Sequence, residues 1–342
     1  MITKTYTFEK YGKSNEVYTL SNANGYEVDI LNYGARITRI WAPDKKGNFG
    51  DIIVGCAKPE DYYEKNSYFG ATIGRYGNRI GGAKFTLNGK EYFLEANDNG
   101  HCLHGGVSTN FDSQLWDAEV AENTLYLRHL SKDGAGGFPG NLAVEVAFTL
   151  TEENELKIAY KATTDKDTLC NLTNHAYFNI GGQDTVLGHE LMIKSRRMTS
   201  VDKELIPHGE YEDIDGTPYS FYPAKLLGED MFSKAEMIAH CNGYDFNYCI
   251  ERETEKSLEH FAYVYDKETG RRMDCYTTLP GVQLYTANCE GITGKKNYLP
   301  HCALCLETQG YPNSPNCPNY PSTVLKAGET YREVTVYKFS VV

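Results

Sequence analysis

Val144-Glu-Val-Ala-Phe-Thr-Leu150 is followed, after a short polar break, by Leu156-Lys-Ile-Ala-Tyr-Lys161. In both runs a large apolar side chain stands at every second position, and this period of two is typical of a β-strand with one buried face. Residues 333–341 repeat the pattern. These runs predict antiparallel strands that share a hydrophobic core.

Glycine-containing turns separate such runs along most of the chain. Asn24-Gly25 and Asn88-Gly89 each lie between two runs, and Asn-Gly favours a two-residue hairpin turn because both residues need a positive φ. Residues 266–270 predict a longer hairpin loop. Helical patterns are confined to residues 59–65 and 232–240, and no repeat or linker divides the sequence. The expected fold is one all-β domain over residues 1–342, a sandwich more than a barrel.

The charge balance excludes several classes of partner. With 34 Lys and Arg against 46 Asp and Glu, the formal net charge is −12. Nucleic acids and anionic membrane surfaces both need a basic face, so we expect neither as a partner. The first residues form no apolar segment and no run of about 18 apolar residues follows, which predicts a cytoplasmic protein. The 27 tyrosines each combine a flat ring with a polar tip, which suits carbohydrate surfaces.

The ten cysteines are scattered along the chain. Without an export signal, we expect reduced thiols that pack as small apolar residues. Cys302 and Cys305 form the only C-x-x-C pair, and His301 precedes it. A zinc site needs two further ligands that no second pair supplies, so we interpret both cysteines as strand residues.

The motifs of many cofactor-dependent enzymes are missing from the sequence. No G-x-G-x-x-G opens a helix after a strand, and no phosphate-binding loop, H-E-x-x-H or G-x-S-x-G occurs. A reaction that needs neither a nucleotide nor a metal is therefore favoured.

Residues 302–309 place a carboxylate after an apolar run. Read as a strand, this segment has Glu307 on the same face as Cys305 and Gln309. A buried carboxylate is costly unless it is paired or used, so Glu307 is a candidate for chemistry. The alternative is an ordinary glutamate at the polar end of a strand.

Residues 170–180 predict a second strip of hydrogen-bonding groups. Alternation puts Asn171, Thr173, His175, Tyr177 and Asn179 on one face, which lies either in solvent or in a polar cleft. His175 is the only group of the strip that titrates near neutrality. The alternative is a structural histidine.

Three further stretches carry polar groups that suit a ligand. Gln283 lies in an alternating run over 281–288, and its amide both donates and accepts hydrogen bonds; a surface glutamine is the alternative. A glycine-punctuated loop over 69–81 carries Asn78 and Arg79, and His104 precedes a glycine pair. Glycines let a backbone turn tightly and approach a ligand closely.

In order and spacing, seven stretches together resemble the galactose mutarotase (aldose 1-epimerase) family. They are Gly74-Arg-Tyr-Gly-Asn-Arg-Ile80, Leu103-His-Gly-Gly106, Asn171-Leu-Thr-Asn-His-Ala-Tyr-Phe-Asn179, Tyr244-Asp-Phe-Asn247, Gly281-Val-Gln-Leu-Tyr-Thr286, Leu306-Glu-Thr-Gln309 and Pro318-Asn-Tyr-Pro-Ser322. The resemblance implies an all-β supersandwich of packed antiparallel sheets with few short helices and an open sugar cleft.

By position, the resemblance also assigns the site. It implies that Glu307 is the general base and His175 the general acid of an isomerase that interconverts the α and β anomers of a hexose such as galactose or glucose. It assigns substrate binding to Asn78, Arg79, His104, Asp245 and Gln283, with no cofactor and no metal. We expect Glu307 and His175 to flank one sugar ring, in a monomer or a homodimer.

The chain departs from the family pattern beside these residues rather than on them. The departures are Tyr76-Gly77, Phe246 and Gly310-Tyr311, which bear on sugar preference more than on reaction type. Three rival functions stay open: a hexose-6-phosphate 1-epimerase, which needs a cationic clamp, a non-catalytic sugar-binding protein, and a glycoside hydrolase that uses Asp245 and Glu307.

Overall fold

The computed structural model describes residues 1–64 and 67–342. The strands of the described residues are numbered in chain order. The first eleven are β1 (Ile2–Lys10), β2 (Lys13–Ser21), β3 (Glu27–Leu31), β4 (Arg36–Pro43), β5 (Phe49–Asp51), β6 (Ile53–Val54), β7 (Thr72–Ile73), β8 (Arg79–Ile80), β9 (Lys84–Leu87), β10 (Lys90–Phe93) and β11 (Cys102–Leu103). The next nine are β12 (Asp117–Ala121), β13 (Thr124–Ser131), β14 (Leu142–Leu150), β15 (Glu155–Thr164), β16 (Thr168–Leu169), β17 (Thr173–Asn174), β18 (Tyr177–Phe178), β19 (Glu190–Ile193) and β20 (Arg197–Val201). The last nine are β21 (Pro207–Asp213), β22 (Lys225–Leu226), β23 (Asp245–Cys249), β24 (Glu259–Tyr265), β25 (Arg271–Thr277), β26 (Gly281–Tyr285), β27 (Cys305–Gln309), β28 (Val324–Leu325) and β29 (Thr330–Val341).

Three larger antiparallel sheets make up most of the fold. One is a five-stranded meander, β1-β2-β3-β4-β5, and another has nine strands in the order β12-β13-β14-β15-β29-β25-β24-β19-β22. The third, β21-β20-β23-β26-β27, carries the site described below. Two-stranded pairs fill the gaps between them: β6 with β18, β7 with β17, β8 with β11, β9 with β10 and β16 with β28. The predicted all-β architecture of packed antiparallel sheets is confirmed.

The alternating runs form adjacent strands whose apolar faces meet in register. Val146 pairs with Tyr160 and Phe148 with Ile158 across β14 and β15, and all four side chains are buried. Burial of such a pair of strand faces is the main source of stability for a sheet of this kind. The largest hydrophobic cluster extends from Tyr18 near one end of the chain to Phe339 near the other.

The two Asn-Gly pairs form different turns. Asn88 and Gly89 have φ of 51° and 76° and link β9 to β10 as the predicted two-residue hairpin. Asn24-Gly25 does not, because the Gly25 amide donates to the Asn22 carbonyl and only Gly25 has a positive φ, 81°. The result is a three-residue loop, which the Asn22 side chain stabilises by accepting from the amides of Asn24 and Tyr26.

Helices are few and short, as the sequence predicts, but their bounds differ. Residues 59–65 form a 3₁₀ helix over Pro59–Tyr63, and Lys65 lies outside the described residues. Residues 232–240 form an α-helix, α1, only over Glu236–Cys241. The other 3₁₀ helices are Gly81–Ala83, Phe111–Ser113, Ala135–Gly137 and Ser314–Asn316. Among the described residues, no helix has the length and apolar character needed to span a membrane.

Residues 170–180 are not the single strand that alternation predicts. β17 pairs with β7, and β18 pairs with β6, so the backbone changes partner between them at His175. Residues 170–180 are all buried, so neither face of the segment is exposed to solvent. Phe178 and Leu304 exchange two backbone hydrogen bonds, which bring this segment beside β27.

Candidate active site

An open cavity of about 510 Å³ lies where β23, β26 and β27 meet the loops that the sequence singled out. Six of the seven predicted site residues line it: Asn78, Arg79, His104, His175, Asp245 and Glu307. The seventh, Gln283, stands behind them and donates from Nε2 to Oδ1 of Asp245 at 2.7 Å. The volume is in the range typical of small-molecule sites.

Strand pairing explains why the acidic and amide groups converge. Gln283 on β26 lies directly opposite Glu307 on β27, so the two side chains are neighbours on one sheet face. Oε1 of Gln283 and Oε2 of Glu307 are buried and make no hydrogen bond within the described residues. Two unpaired buried acceptors at one place indicate a ligand that brings hydroxyl donors.

Glu307 and His175 are in direct contact. Oε1 of Glu307 lies 3.6 Å from Nε2 of His175, and both side chains are buried. This distance leaves no room for a sugar ring between the two groups, contrary to the expectation that they flank one. The two groups lie side by side in the cavity instead.

Burial controls the protonation of this pair. Burial, reinforced by the Asp245 carboxylate, raises the pKa of Glu307 well above its ordinary value of 4.5. Burial also lowers the pKa of His175 from 6.5 to about 3, against a hydrogen bond to its own backbone that raises it. The contact distance permits an ion pair, but removal from water disfavours both charges. Burial therefore favours the neutral form of each group over an ion pair between them.

His104 faces the cavity as a hydrogen-bond donor. The backbone amide of Asn78 donates to Nδ1 of His104 at 3.1 Å, which places the proton of the neutral ring on Nε2. Burial, with His175 and Arg79 nearby, lowers the pKa of His104 well below 6.5, so the ring stays neutral. The ligand atoms of His104, His175 and Glu307 lie within 4.8 Å of one another. A metal there would require the Nε2 of His104 to lose its proton.

Arg79 is held by carboxylates on two sides. Its Nε donates to Oδ2 of Asp98 at 2.8 Å, and its Nη1 lies 3.8 Å from Oδ2 of Asp245. Burial lowers the pKa of Arg79, but Asp245 and Asp98 outweigh it, so the net pKa is raised and the guanidinium stays charged. Asp98 is a site residue that sequence reasoning missed, since nothing in its local pattern sets it apart.

Comparison with known proteins identifies the family. The model of a family described as aldose 1-epimerase matches residues 16–338. The chain belongs to the aldose 1-epimerase family. It is 40% identical to a galactose mutarotase from Sus scrofa over 92% of this chain and 91% of that protein. It is 32% identical to an aldose 1-epimerase from Escherichia coli (strain K12) over 99% of each chain.

Solved structures of the aldose 1-epimerase type share the fold. A GalM/aldose epimerase homologue from C. elegans superposes with a TM-score of 0.89 at 27% identity, covering 96% of this chain and 99% of that one. A galactose 1-epimerase from Lactobacillus acidophilus gives 0.87 at 25% identity, covering 100% and 98%. The predicted family, fold and isomerase class are confirmed, and the non-catalytic and hydrolase alternatives are set aside.

Two departures from the aldose 1-epimerase pattern are in contact with each other. Oη of Tyr76 donates to the carbonyl of Tyr311 at 2.9 Å and accepts from the amide of Ser314 at 3.1 Å. Phe246, a third departure, is buried against Tyr219 and Tyr244. None of these residues is among the described residues that line the cavity, so the departures alter packing around the epimerase site rather than its sugar-facing wall.

Aromatic residues and a thiol surround His175 in this aldose 1-epimerase site. The rings of Tyr68 and Tyr177 stack on the imidazole, with centroids 5.7 Å and 5.0 Å away. Sγ of Cys305 lies 3.5 Å from its Nδ1, and burial raises the pKa of that thiol well above 9.0. Cys305 is thus a strand residue, as interpreted from the sequence, but one that touches the catalytic candidate. Tyr68, like Asp98, carries no signal in the sequence pattern.

Proposed function

We propose that this aldose 1-epimerase interconverts the α and β anomers of an unphosphorylated hexose, galactose or glucose, through the open-chain sugar. Glu307 acts as general base on the C1 hydroxyl, and His175 acts as general acid on the ring oxygen. The names of the relatives support the activity. The observation that supports the residue assignment best is the 3.6 Å contact between Glu307 and His175 inside a cavity large enough for a small-molecule ligand.

The chemistry of a hemiacetal favours two groups side by side. The hydroxyl oxygen on C1 and the ring oxygen are bonded to the same carbon, so the groups that serve them must also be neighbours. Glu307 Oε1 and His175 Nε2 meet that condition. Holding both groups against the substrate converts a slow encounter with water into an oriented step.

Ring opening moves one proton in and one proton out. The O–H bond of the C1 hydroxyl breaks, and its proton goes to the Glu307 carboxylate as the C1–O bond becomes a carbonyl. The bond from C1 to the ring oxygen breaks with its electron pair on that oxygen, which takes the proton of the His175 imidazolium. Rotation about C1–C2 then presents the other carbonyl face, and closure reverses each transfer.

Burial of the two groups favours the open-chain state of this cycle over the ring-bound state. The ring-bound state needs a glutamate anion and an imidazolium, and the open-chain state leaves both groups neutral. Because burial raises the pKa of Glu307 and lowers the pKa of His175, the site favours the neutral arrangement. The ionised pair is therefore the costly state of the cycle, and ring opening relieves that cost as both groups become neutral.

The remaining residues suit hydroxyl recognition. His104 and Arg79 donate near the reacting end and stabilise negative charge on the carbonyl oxygen as it develops. Asp245 accepts from sugar hydroxyls, oriented by Gln283 Nε2 at 2.7 Å. Asn78 is buried in the cavity wall and fixes His104 through its amide.

The pH dependence follows from the requirement that the Glu307–His175 pair holds one transferable proton, on either group. Activity is lost in acid when His175 and Glu307 both hold protons, and it is lost in base when neither does. Since burial lowers the pKa of His175 from 6.5 to about 3, we expect the acid limb of kcat/KM between those values. The raised pKa of Glu307 moves the alkaline limb upward, so the profile is flat around neutrality. Polarimetry with the buffer-catalysed rate subtracted measures it; an acid limb centred at or above 6.5 would contradict the assignment.

Charge in the cavity distinguishes a free hexose from a hexose phosphate. Arg79 is the only Lys or Arg among the described residues of the lining, and Asp98 and Asp245 already neutralise it. A phosphate dianion would therefore meet acidic groups without a clamp. We expect kcat/KM for glucose 6-phosphate to be at least about 100-fold below that for glucose, a difference of roughly 3 kcal/mol. Equal values would favour the hexose-6-phosphate alternative.

The cellular setting belongs to the same proposal. The cysteines other than Cys56 are free thiols, and this supports a reducing compartment such as the cytoplasm. The predicted site residues meet at one place within this chain, which is compatible with activity as a monomer or a homodimer. The hydrophobic cluster that joins Tyr18 to Phe339 supports one domain over residues 1–342.

A further inference from the structure

Neutral groups surround most of the His175 ring. Glu307 is the only carboxylate that contacts the imidazole within the described part of the chain, and in the proposed cycle it loses its charge as the ring opens. The titratable and charged groups that face the ring are Tyr68, Tyr177, Tyr285, His104, Cys305, Glu307 and, at longer range, Arg36. Something other than a second anion must therefore help His175 to carry a positive charge.

Tyr68 has the geometry for that task. Its ring plane lies 25° from the plane of His175, so the phenol presents a face to the imidazole. The same ring meets His104 edge-to-face, with centroids 4.7 Å apart. The face of a phenol ring is electron-rich and attracts a cation, most strongly where water is excluded.

The backbone around Tyr68 fixes this ring relative to His175. Tyr68 has a φ of 54°, a left-handed conformation that is strained for a large side chain. The amide of Gly70 donates to the carbonyl of His175 at 2.9 Å, and the amide of His175 donates to the carbonyl of Ala71 at 2.8 Å. The buried Arg36 adds a hydrogen bond to the carbonyl of Phe69 at 2.6 Å. These bonds do not involve the Tyr68 side chain, so the ring can be changed while its support remains.

We propose that Tyr68 is a positioning residue of the epimerase reaction: its ring orients His104 and His175 and stabilises the positive charge of protonated His175. Tyr177 stacks on the same imidazole, with centroids 5.0 Å apart and planes 20° apart, and contributes to the same effect. Tyr68 is the better test, because Tyr177 is buried in a hydrophobic cluster while Tyr68 is partly exposed. The inference rests on the proposed role of His175.

The experiment lowers the electron density of the ring at position 68 while keeping a ring of similar shape there. Tyr68→Phe keeps the ring face, and we expect kcat within about 2-fold of wild type. Incorporation of mono-, di- and trifluorinated phenylalanine at position 68 then makes the ring face less electron-rich in steps, so its attraction for a cation decreases. We expect kcat to fall stepwise, about 10-fold in total, while KM changes less than about 3-fold. The acid limb of the pH profile moves to lower pH, since protonated His175 is less stabilised.

Each outcome distinguishes a charge effect from a structural one. A loss in Tyr68→Phe equal to that of Tyr68→Leu overturns the inference, because the hydroxyl would then matter rather than the ring. Fluorination that slows the reaction without moving the acid limb, or that changes nothing, overturns it as well. Tyr63→Leu is the matched control: its ring stacks on Tyr33 at 3.8 Å, away from the described cavity lining, and should leave rate and acid limb unchanged.

Failure of this inference is separable from failure of the proposed function. If His175→Asn keeps wild-type activity, the role of His175 is wrong whatever Tyr68 does. If His175→Asn removes activity and the fluorinated series behaves like Tyr68→Phe, only the role of Tyr68 is wrong.

Discussion

Glu307→Gln is expected to slow mutarotation by about 10²–10⁴-fold while the cavity still binds sugar. The amide has the shape of the carboxyl group but takes no proton from the C1 hydroxyl. Because Glu307 is buried and burial raises its pKa, a neutral amide suits the site at least as well, and we expect the melting temperature to be unchanged or higher. Polarimetry of freshly dissolved α-galactose gives the rate, and titration calorimetry gives the affinity.

A second buried glutamate provides the control for that experiment. Glu333 lies on β29, accepts from Oγ1 of Thr278 at 2.6 Å and pairs with Lys256. It does not line the described cavity, so Glu333→Gln should lower stability and leave the rate per folded molecule unchanged. A Glu307→Gln enzyme that keeps half of the wild-type rate would remove Glu307 from the mechanism.

His175→Asn is expected to cost as much as Glu307→Gln, and the double variant little more than either alone. Glu307 takes one proton from the substrate in the same step in which His175 gives one to it, so removal of either group leaves the other without a function. Independent contributions would instead multiply, giving a double variant slower by the product of the two factors. Multiplicative losses would show that Glu307 and His175 do not act as one unit.

The comparison requires rates for the wild type, the two single variants and the double variant in one buffer, because buffers also catalyse mutarotation. His260→Asn is a suitable control for the histidine change, since His260 pairs with Asp274 at 2.9 Å on the nine-stranded sheet, away from the described lining of the cavity. It should retain the wild-type rate.

Local patterns predicted the parts of the fold in which one strand face is buried. The alternation over β14 and β15 survives in the structure because a one-residue slip would expose every apolar side chain. Asn88-Gly89 predicted its hairpin turn correctly, because both residues adopt the positive φ that this dipeptide favours. Asn24-Gly25 gave the wrong one, because the side chain of Asn22 outcompetes the preference of the dipeptide for its turn.

Contacts between distant segments account for what the sequence pattern missed. Alternation over 170–180 predicted one strand, but both of its faces are buried and its pairing changes from β7 to β6 around His175. Glu307 and His175 were assigned by resemblance; their contact depends on the bridge between Phe178 and Leu304. Asp98 and Tyr68 contact site residues that are distant from them in the sequence, and a periodic pattern does not reveal such contacts.

The place of β29 in the nine-stranded sheet has a consequence for biosynthesis. β29 pairs with β15 on one side and with β25 on the other, so it joins two halves of the sheet that have no other shared edge. While a ribosome is still making residues 330–341, both halves present an open edge to other nascent chains. Closure of the sheet must therefore wait for residues 330–341, which are made after every other strand of the two halves.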